Sequence, residues 1–416
     1  MHRFIHIVTI GAALLAVFGA CGDPAPASDP AAQEPEGQPT PEPDAAEPDA
    51  AEPEPQPDPQ PEPQPEPEPE VFSDDPLEWA PGADGPFAVG FRVQDVTWTS
   101  PESGEPRTIK VNIWYPTLTT EGEPAVYLGV RAFTDEEVVV GAPPADPVYP
   151  AGYPVHAHSH GFQGFGGTSA DLMRHFASHG WLAVAPDHTN NTLSDHRDPL
   201  PTAHYFHRPL DIRVALDTIE ALPDGDPLAG KADTSRVLLS GHSFGAYTTW
   251  VTGGASLDLE VIRQRCESGD IPEGGCTEAE LEILASDLSD ARVVATLPMA
   301  GTLRTNFFGE QGHRDIKGPV FFMSGSEDKV GAEEQFALVD GIDLTWIELE
   351  GGCHQTFALG FCNTLDPQEG FTIVNTFALS FARHLILADD SPATLAILDG
   401  SAPVSDKVTT FERKRP

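Results

Sequence analysis

The sequence predicts an α/β domain built on a mostly parallel central sheet with helices on both faces. Three observations carry this expectation. Short apolar runs recur at residues 153–159, 181–186, 236–240, 292–298, 319–324 and 344–349. Helix-like patterns at 169–178, 208–222, 244–252 and 332–340 lie between most of them, and strands joined through helices need crossovers, hence parallel neighbours covered on both sides. Finally, the chain from Pro76 onward holds roughly 340 residues, enough for one large core.

The first 75 residues are of another kind. Met1, His2 and Arg3 open the chain with positive charge, residues 4–18 are mostly apolar, and Gly19 and Ala20 are small, the three-part pattern of an export signal over residues 1–20. Phe18-Gly19-Ala20-Cys21 resembles the lipobox of bacterial lipoproteins, which implies lipidation at Cys21; a plain signal peptide cut nearby is the alternative. Residues 21–75 are dominated by Pro, Glu, Asp, Gln and Ala and contain neither Lys nor Arg. Such a segment buries too little apolar surface to fold, so it is expected to be an extended, disordered tether of about 3 Å per residue. Of the 65 acidic residues, 17 fall between Gly22 and Asp75. The rest of the chain remains acidic, which argues against nucleic acid or an anionic membrane as a partner of the domain and leaves the lipid anchor as the expected membrane contact. The implied location is the cell envelope or, without the anchor, the secreted fraction.

Within the domain, expected over residues 76–390 and followed by a tail at 391–416, residues 93–99 and 108–115 alternate apolar and polar side chains around a Pro- and Gly-containing turn, which predicts an edge hairpin. Residues 371–387 read as a long closing helix, and 253–290 as an insertion near the mouth of a site, able to form a partial lid. Cys21 aside, an even number of cysteines remains: Cys266, Cys276, Cys353 and Cys362. Three pairings are possible, of which the local pairs Cys266–Cys276 and Cys353–Cys362 are favoured in an oxidising compartment; C-x-x-C spacing for zinc is absent.

The chemistry concentrates at the ends of the apolar runs. Gly241-His242-Ser243-Phe244-Gly245 joins a strand to a helix and matches G-x-S-x-G, a turn so sharp that its serine is strained and its neighbours are glycines. A serine hydroxyl needs a positioned base, and the base an orienting acid. Asp328 follows the run at 319–324, with Glu327 as the neighbouring substitute, and His354 follows the run at 344–349, giving the order Ser, Asp, His. The loop from His158 to Gly167 is rich in glycine after a strand, so the N–H groups of Phe162 and Phe244 are the candidate donors to a developing oxyanion. His156, His158 and His160 read as strand-end packing rather than a metal site, and no cofactor is expected. Phe162, Phe165, Phe244, Tyr247 and Met299 suggest an apolar acyl pocket suited to short, neutral esters.

Taken together, the serine turn, the Ser159-His160-Gly161-Phe162 loop, residues 177–188 and Cys353-His354-Gln355-Thr356-Phe357 resemble the α/β-hydrolase branch of platelet-activating-factor acetylhydrolases and the related bacterial dienelactone-hydrolase-like and polyester-hydrolase-like esterases. The resemblance spans most of residues 90–388. It implies an α/β-hydrolase fold and a serine esterase of small ester or lipid-like substrates, with short-chain phospholipid or polyester hydrolysis as narrower alternatives and a non-catalytic display module as the contrasting one. In the acetylhydrolases the acid follows the strand after the nucleophile. Here that place reads Leu297-Pro298-Met299-Ala300-Gly301, so the acid is expected at Asp328.

Overall fold

The computed structural model describes residues 72–197, 200–268, 276–301 and 305–416. The expected signal peptide, Cys21 and nearly all of the expected tether lie outside the described residues. Phe72–Pro416 forms one compact unit. It starts earlier than expected, because Trp79 turns inward and donates through Nε1 to the Ser73 carbonyl, drawing Phe72 against its ring.

Eleven strands form one sheet among the described residues: β1 (Ala88–Thr99), β2 (Pro106–Thr117), β3 (Pro124–Val126), β4 (Thr134–Val140), β5 (Tyr153–Ser159), β6 (Leu182–Asp187), β7 (Ala232–His242), β8 (Val293–Met299), β9 (Val320–Gly325), β10 (Leu344–Leu349) and β11 (Val408–Lys414). Their order is β11-β10-β9-β8-β7-β5-β6-β2-β1-β4-β3. The block from β6 to β10 is parallel throughout, as the apolar runs predict, since a strand covered on both faces carries no alternation.

The helices that matter to the site are α1 (Ala170–Ser178), α2 (His204–Glu220), α3 (Phe244–Thr252), α4 (Leu259–Ser268), α5 (Glu278–Leu284), α6 (Ala332–Leu338), α7 (Pro367–Leu387) and α8 (Pro392–Leu398). The pleat of the strands sorts the core. Phe321, Met323, Ile347 and Leu349 pack with α1 and α7, while Val320, Phe322, Leu344 and Trp346 pack on the opposite face with Tyr247 and Trp250 of α3. Burying one such large apolar side chain contributes about 2 kcal/mol.

Three expectations are corrected. The β1–β2 hairpin is not at the edge: β2 pairs with β6, and β4 and β3 extend the sheet beyond β1. Residues 391–416 are no tail, because α8 packs on α7 and β11 adds antiparallel to β10, covering an edge that would otherwise expose unpaired backbone groups. Helix α2 starts at His204 rather than 208 and carries Pro209 inside it. Pro209 has no N–H to offer the Tyr205 carbonyl, and the Tyr247 hydroxyl of α3 donates to that oxygen instead, at 2.9 Å. The proline therefore ties α2 to α3. The insertion at 253–290 holds α4 and α5, whose Ile262, Leu281 and Leu284 are buried with Tyr247 and Trp250, so its described part is built into the core.

Candidate active site

Strand β7 ends and α3 begins at Ser243, which has φ 55° and ψ −114°, a conformation that costs a non-glycine residue about 1–3 kcal/mol. Close packing holds it there. A Cβ on Gly241 would stand 2.2 Å from the Gly245 carbonyl oxygen, and one on Gly245 would stand 1.8 Å from that of Ser159, so neither glycine can be replaced without moving backbone. The Ser243 N–H donates to Met299 O of β8 at 2.9 Å.

Asp328 and His354 lie just beyond β9 and β10, and the structure brings them together. His354 Nδ1 is 2.9 Å from Asp328 Oδ2, with the Asp328 side chain 8% exposed and that of His354 38% exposed. Two bonds lock the loops in step: Gly351 N–H donates to Ser326 Oγ, and Glu327 N–H donates to Gly352 O, both at 2.9 Å. Glu327 itself is exposed. With Nδ1–H held by the carboxylate, Nε2 is left as the proton-accepting nitrogen. His242, the neighbour of Ser243, donates through Nε2–H to the His354 carbonyl at 2.8 Å, and the two rings lie 4.7 Å apart. Among the described residues no hydrogen bond joins the Ser243 hydroxyl to His354; such contacts commonly tighten only with substrate in place.

The loop after β5 supplies the third side. A Cβ on Gly161 would lie 3.2 Å from that of Ser243, so Phe162 follows directly beside the serine. Phe162 is 39% exposed, and Phe244 is the half-buried first residue of α3. Among the described residues neither N–H is donated to a protein acceptor, as expected for Phe244 in the first turn of a helix. The far end of the loop is held by Asp187, whose Oδ1 accepts from Gly166 N–H at 2.7 Å and from Asn112 Nδ2 at 2.9 Å.

Burial pushes the Asp187 carboxyl up to about 6, with the Gly166 and Asn112 bonds opposing. A raised carboxyl contributes stability below its unfolded value and loses it as pH rises through about 6. The loss approaches roughly 3 kcal/mol. Asp187→Asn keeps the Oδ1 acceptor, so urea unfolding at pH 4 and at pH 7 is expected to show the variant gaining on the parent protein by that order as pH rises. A pH-independent difference would refute the account.

The structure pairs Cys353 with Cys362 and Cys266 with Cys276, at Cα separations of 5.8 and 6.0 Å. The first pair closes the loop that starts one residue before His354. Of the expected pocket residues, Phe165 and Met299 are core: Phe165 packs on Phe133 and Tyr127, and Met299 is wholly buried in β8. Tyr247 is spent on the tie to α2. Phe162 and Phe244 remain as the apolar rim, with Tyr205 at 5.3 Å from the Phe244 ring.

A buried polar layer lies beneath the loop, and little in the sequence announced it. Asp211 of α2 accepts from Arg107 Nε at 3.0 Å and Nη2 at 2.7 Å, from Trp98 Nε1 at 3.1 Å and from His188 Nδ1 at 2.9 Å. His188 Nε2 in turn meets Ser159 Oγ at 2.9 Å. Ser159, His188 and Asp211 repeat the residue types of the exposed set, but all three are 0% exposed and no substrate reaches them. Burial, then the Arg208 charge, lowers His188 to about 3, so it is neutral. His156 and His158 both bond Ser240 Oγ, at 2.7 and 2.8 Å, and His160 joins its Nδ1 to Gly161 O and its Nε2 to His188 N–H; the three serve strand-end packing, as expected.

No protein-family model matches the chain, and no curated protein matches it. Among solved structures it is similar to a ferulic acid esterase from Streptomyces cinnamoneus, with 21% identity, a TM-score of 0.52, and coverage of 74% of this chain and 93% of that one. The fold is that of the α/β hydrolases.

Proposed function

We propose that this chain is a serine hydrolase of carboxylic esters, working through Ser243, His354 and Asp328. The observation that carries the reading is the Asp328–His354 hydrogen bond at 2.9 Å, made on the loops adjoining a strained Ser243. Ser243 Oγ attacks the ester carbonyl as His354 Nε2 takes its proton, and the N–H groups of Phe162 and Phe244 receive the oxygen that gains charge. The tetrahedral species collapses by breaking the bond to the leaving alkoxide, which His354 protonates. Water then attacks the acyl-enzyme with His354 as base, releasing the acid and restoring Ser243.

The apolar rim of Phe162 and Phe244 suits a neutral acyl or aryl group, and the solved neighbour being a ferulic acid esterase supports an ester substrate. Short, neutral esters are the preferred class, ahead of short-chain phospholipids and polyesters. The N-terminal pattern supports export and anchoring to the cell envelope through Cys21, with the acidic tether as spacer. A fluorophosphonate probe tests the assignment: it is expected to form one adduct, on Ser243, and to abolish hydrolysis of p-nitrophenyl acetate. An adduct elsewhere, or hydrolysis that survives complete labelling, would sink it, and a chain that neither reacts nor hydrolyses is a binding module.

A further inference from the structure

We propose that Arg208 is a positioning residue of the oxyanion site, holding both of its N–H donors in register and setting a buried positive charge beside them. The inference rests on the esterase reading above. Arg208 projects from the second turn of α2 and is 0% exposed. Its Nη1 donates to His160 O at 2.8 Å, and its Nη2 donates to the same oxygen and, at 3.3 Å, to Gly161 O. Gly161 O belongs to the peptide that carries the Phe162 N–H. Because a trans peptide is planar, with C=O and N–H opposed, holding that carbonyl sets where the N–H points. Gly164 N–H, at 3.0 Å, and His160 Nδ1, at 2.7 Å, hold the same oxygen. The guanidinium also lies over the Phe244 ring, 4.4 Å from its centroid, and so reaches the residue that supplies the second donor. One side chain therefore spans the end of β5 and the start of α3.

The charge has no dedicated counter-ion. Among the described residues Arg208 forms no ion pair, and the nearby carboxylate of Asp211 is engaged by Nε and Nη2 of Arg107. His158, His160 and His188 are held far below their ordinary values, burial first and Arg208 among the causes, so they add no charge. Burial also lowers Arg208 itself, to about 9, which leaves it protonated at neutral pH. Asp211 is thus shared between the paired Arg107 and the unpaired Arg208. An uncompensated buried cation is costly to a fold. Asp211 offsets part of that cost from a distance, and an oxyanion forming at the attacked carbonyl adds negative charge next to the guanidinium, which is the condition for stabilising a transition state more than a ground state.

The test compares Arg208→Gln and Arg208→Lys with the parent protein on p-nitrophenyl acetate, normalised by fluorophosphonate titration of competent sites. For Arg208→Gln, kcat per titrated site is expected to fall about 100-fold with KM within about twofold, while Arg208→Lys, which keeps charge but cannot bridge the carbonyls, recovers about tenfold of that loss. A merely structural arginine would reduce the number of titratable sites and leave kcat per site unchanged. Per-site kcat within threefold of the parent in Arg208→Gln, or Gln and Lys variants that cannot be told apart, would overturn the proposal. If Arg208→Gln yields no folded protein, Arg208→Lys with a per-site kcat equal to that of the parent overturns it alone. Ser243→Ala run in parallel separates the two readings, because an active Ser243→Ala protein would reject the esterase assignment whatever Arg208 does.

Discussion

Ser243→Ala is expected to lower esterase kcat by about 10⁶-fold, the scale on which removing a triad nucleophile acts, with a residual rate from the backbone donors and substrate binding. The reason is chemical: alanine offers no atom to form the acyl-enzyme, so His354 can only assist water. Fold is not at issue. The turn at φ 55° is set by the close approaches of Gly241 and Gly245 and by the Ser243 N–H bond to Met299 O, none of which involves the hydroxyl. The variant should therefore keep its near-ultraviolet circular dichroism and thermal midpoint. Steady-state hydrolysis of p-nitrophenyl acetate measures the loss, and a decrease of less than 100-fold in a homogeneous sample would place the nucleophile elsewhere.

Asp328→Asn is the next largest expected effect, about 10⁴-fold in kcat. Asparagine fits the same space, but its amide competes as a donor at His354 Nδ1 and favours the tautomer that presents N–H, rather than a lone pair, towards the serine. It also removes the carboxylate that stabilises the imidazolium formed during attack. The 2.9 Å contact to a side chain only 8% exposed gives this pairing the dry setting in which such support is strong. Glu327→Gln is the control: Glu327 is exposed and contributes a backbone N–H to Gly352 O, so its carboxylate should be dispensable to within twofold. Reversal of the two results would move the acid to Glu327, and an unaffected Asp328→Asn would leave His354 without its orienting partner.

Several parts of the site were legible because their signals are local. The two glycines around Ser243 announce a backbone crossing that no side chain survives, and the apolar runs ending at Ser324 and Leu349 place Asp328 and His354 one loop beyond strand ends. The acyl pocket was misread because proximity in sequence to the glycine loop says nothing of direction. Phe165 and Met299 point into the core, and only Phe162 and Phe244 remain near the surface. The closing strand β11 was missed for a related reason. Val-Thr-Thr-Phe-Glu-Arg-Lys is too polar to signal burial, and an edge strand docks on few apolar side chains, here Val408 and Phe411, the latter against Phe377.

By itself the sequence determined the parallel core and the strained serine turn, which follow from residue period and from the steric needs of glycine within a few positions, and it placed Ser243, Asp328 and His354 in that order just beyond strand ends. Tertiary structure alone decided how the sheet ends at both edges and which charges lie beneath the glycine-rich loop after β5. Arg208 meets His160 across 48 positions, and Arg107 meets Asp211 across 104. Arg and Asp ordinarily mark solvated surface, and only the burial imposed by distant strands and helices turns them into a desolvated network.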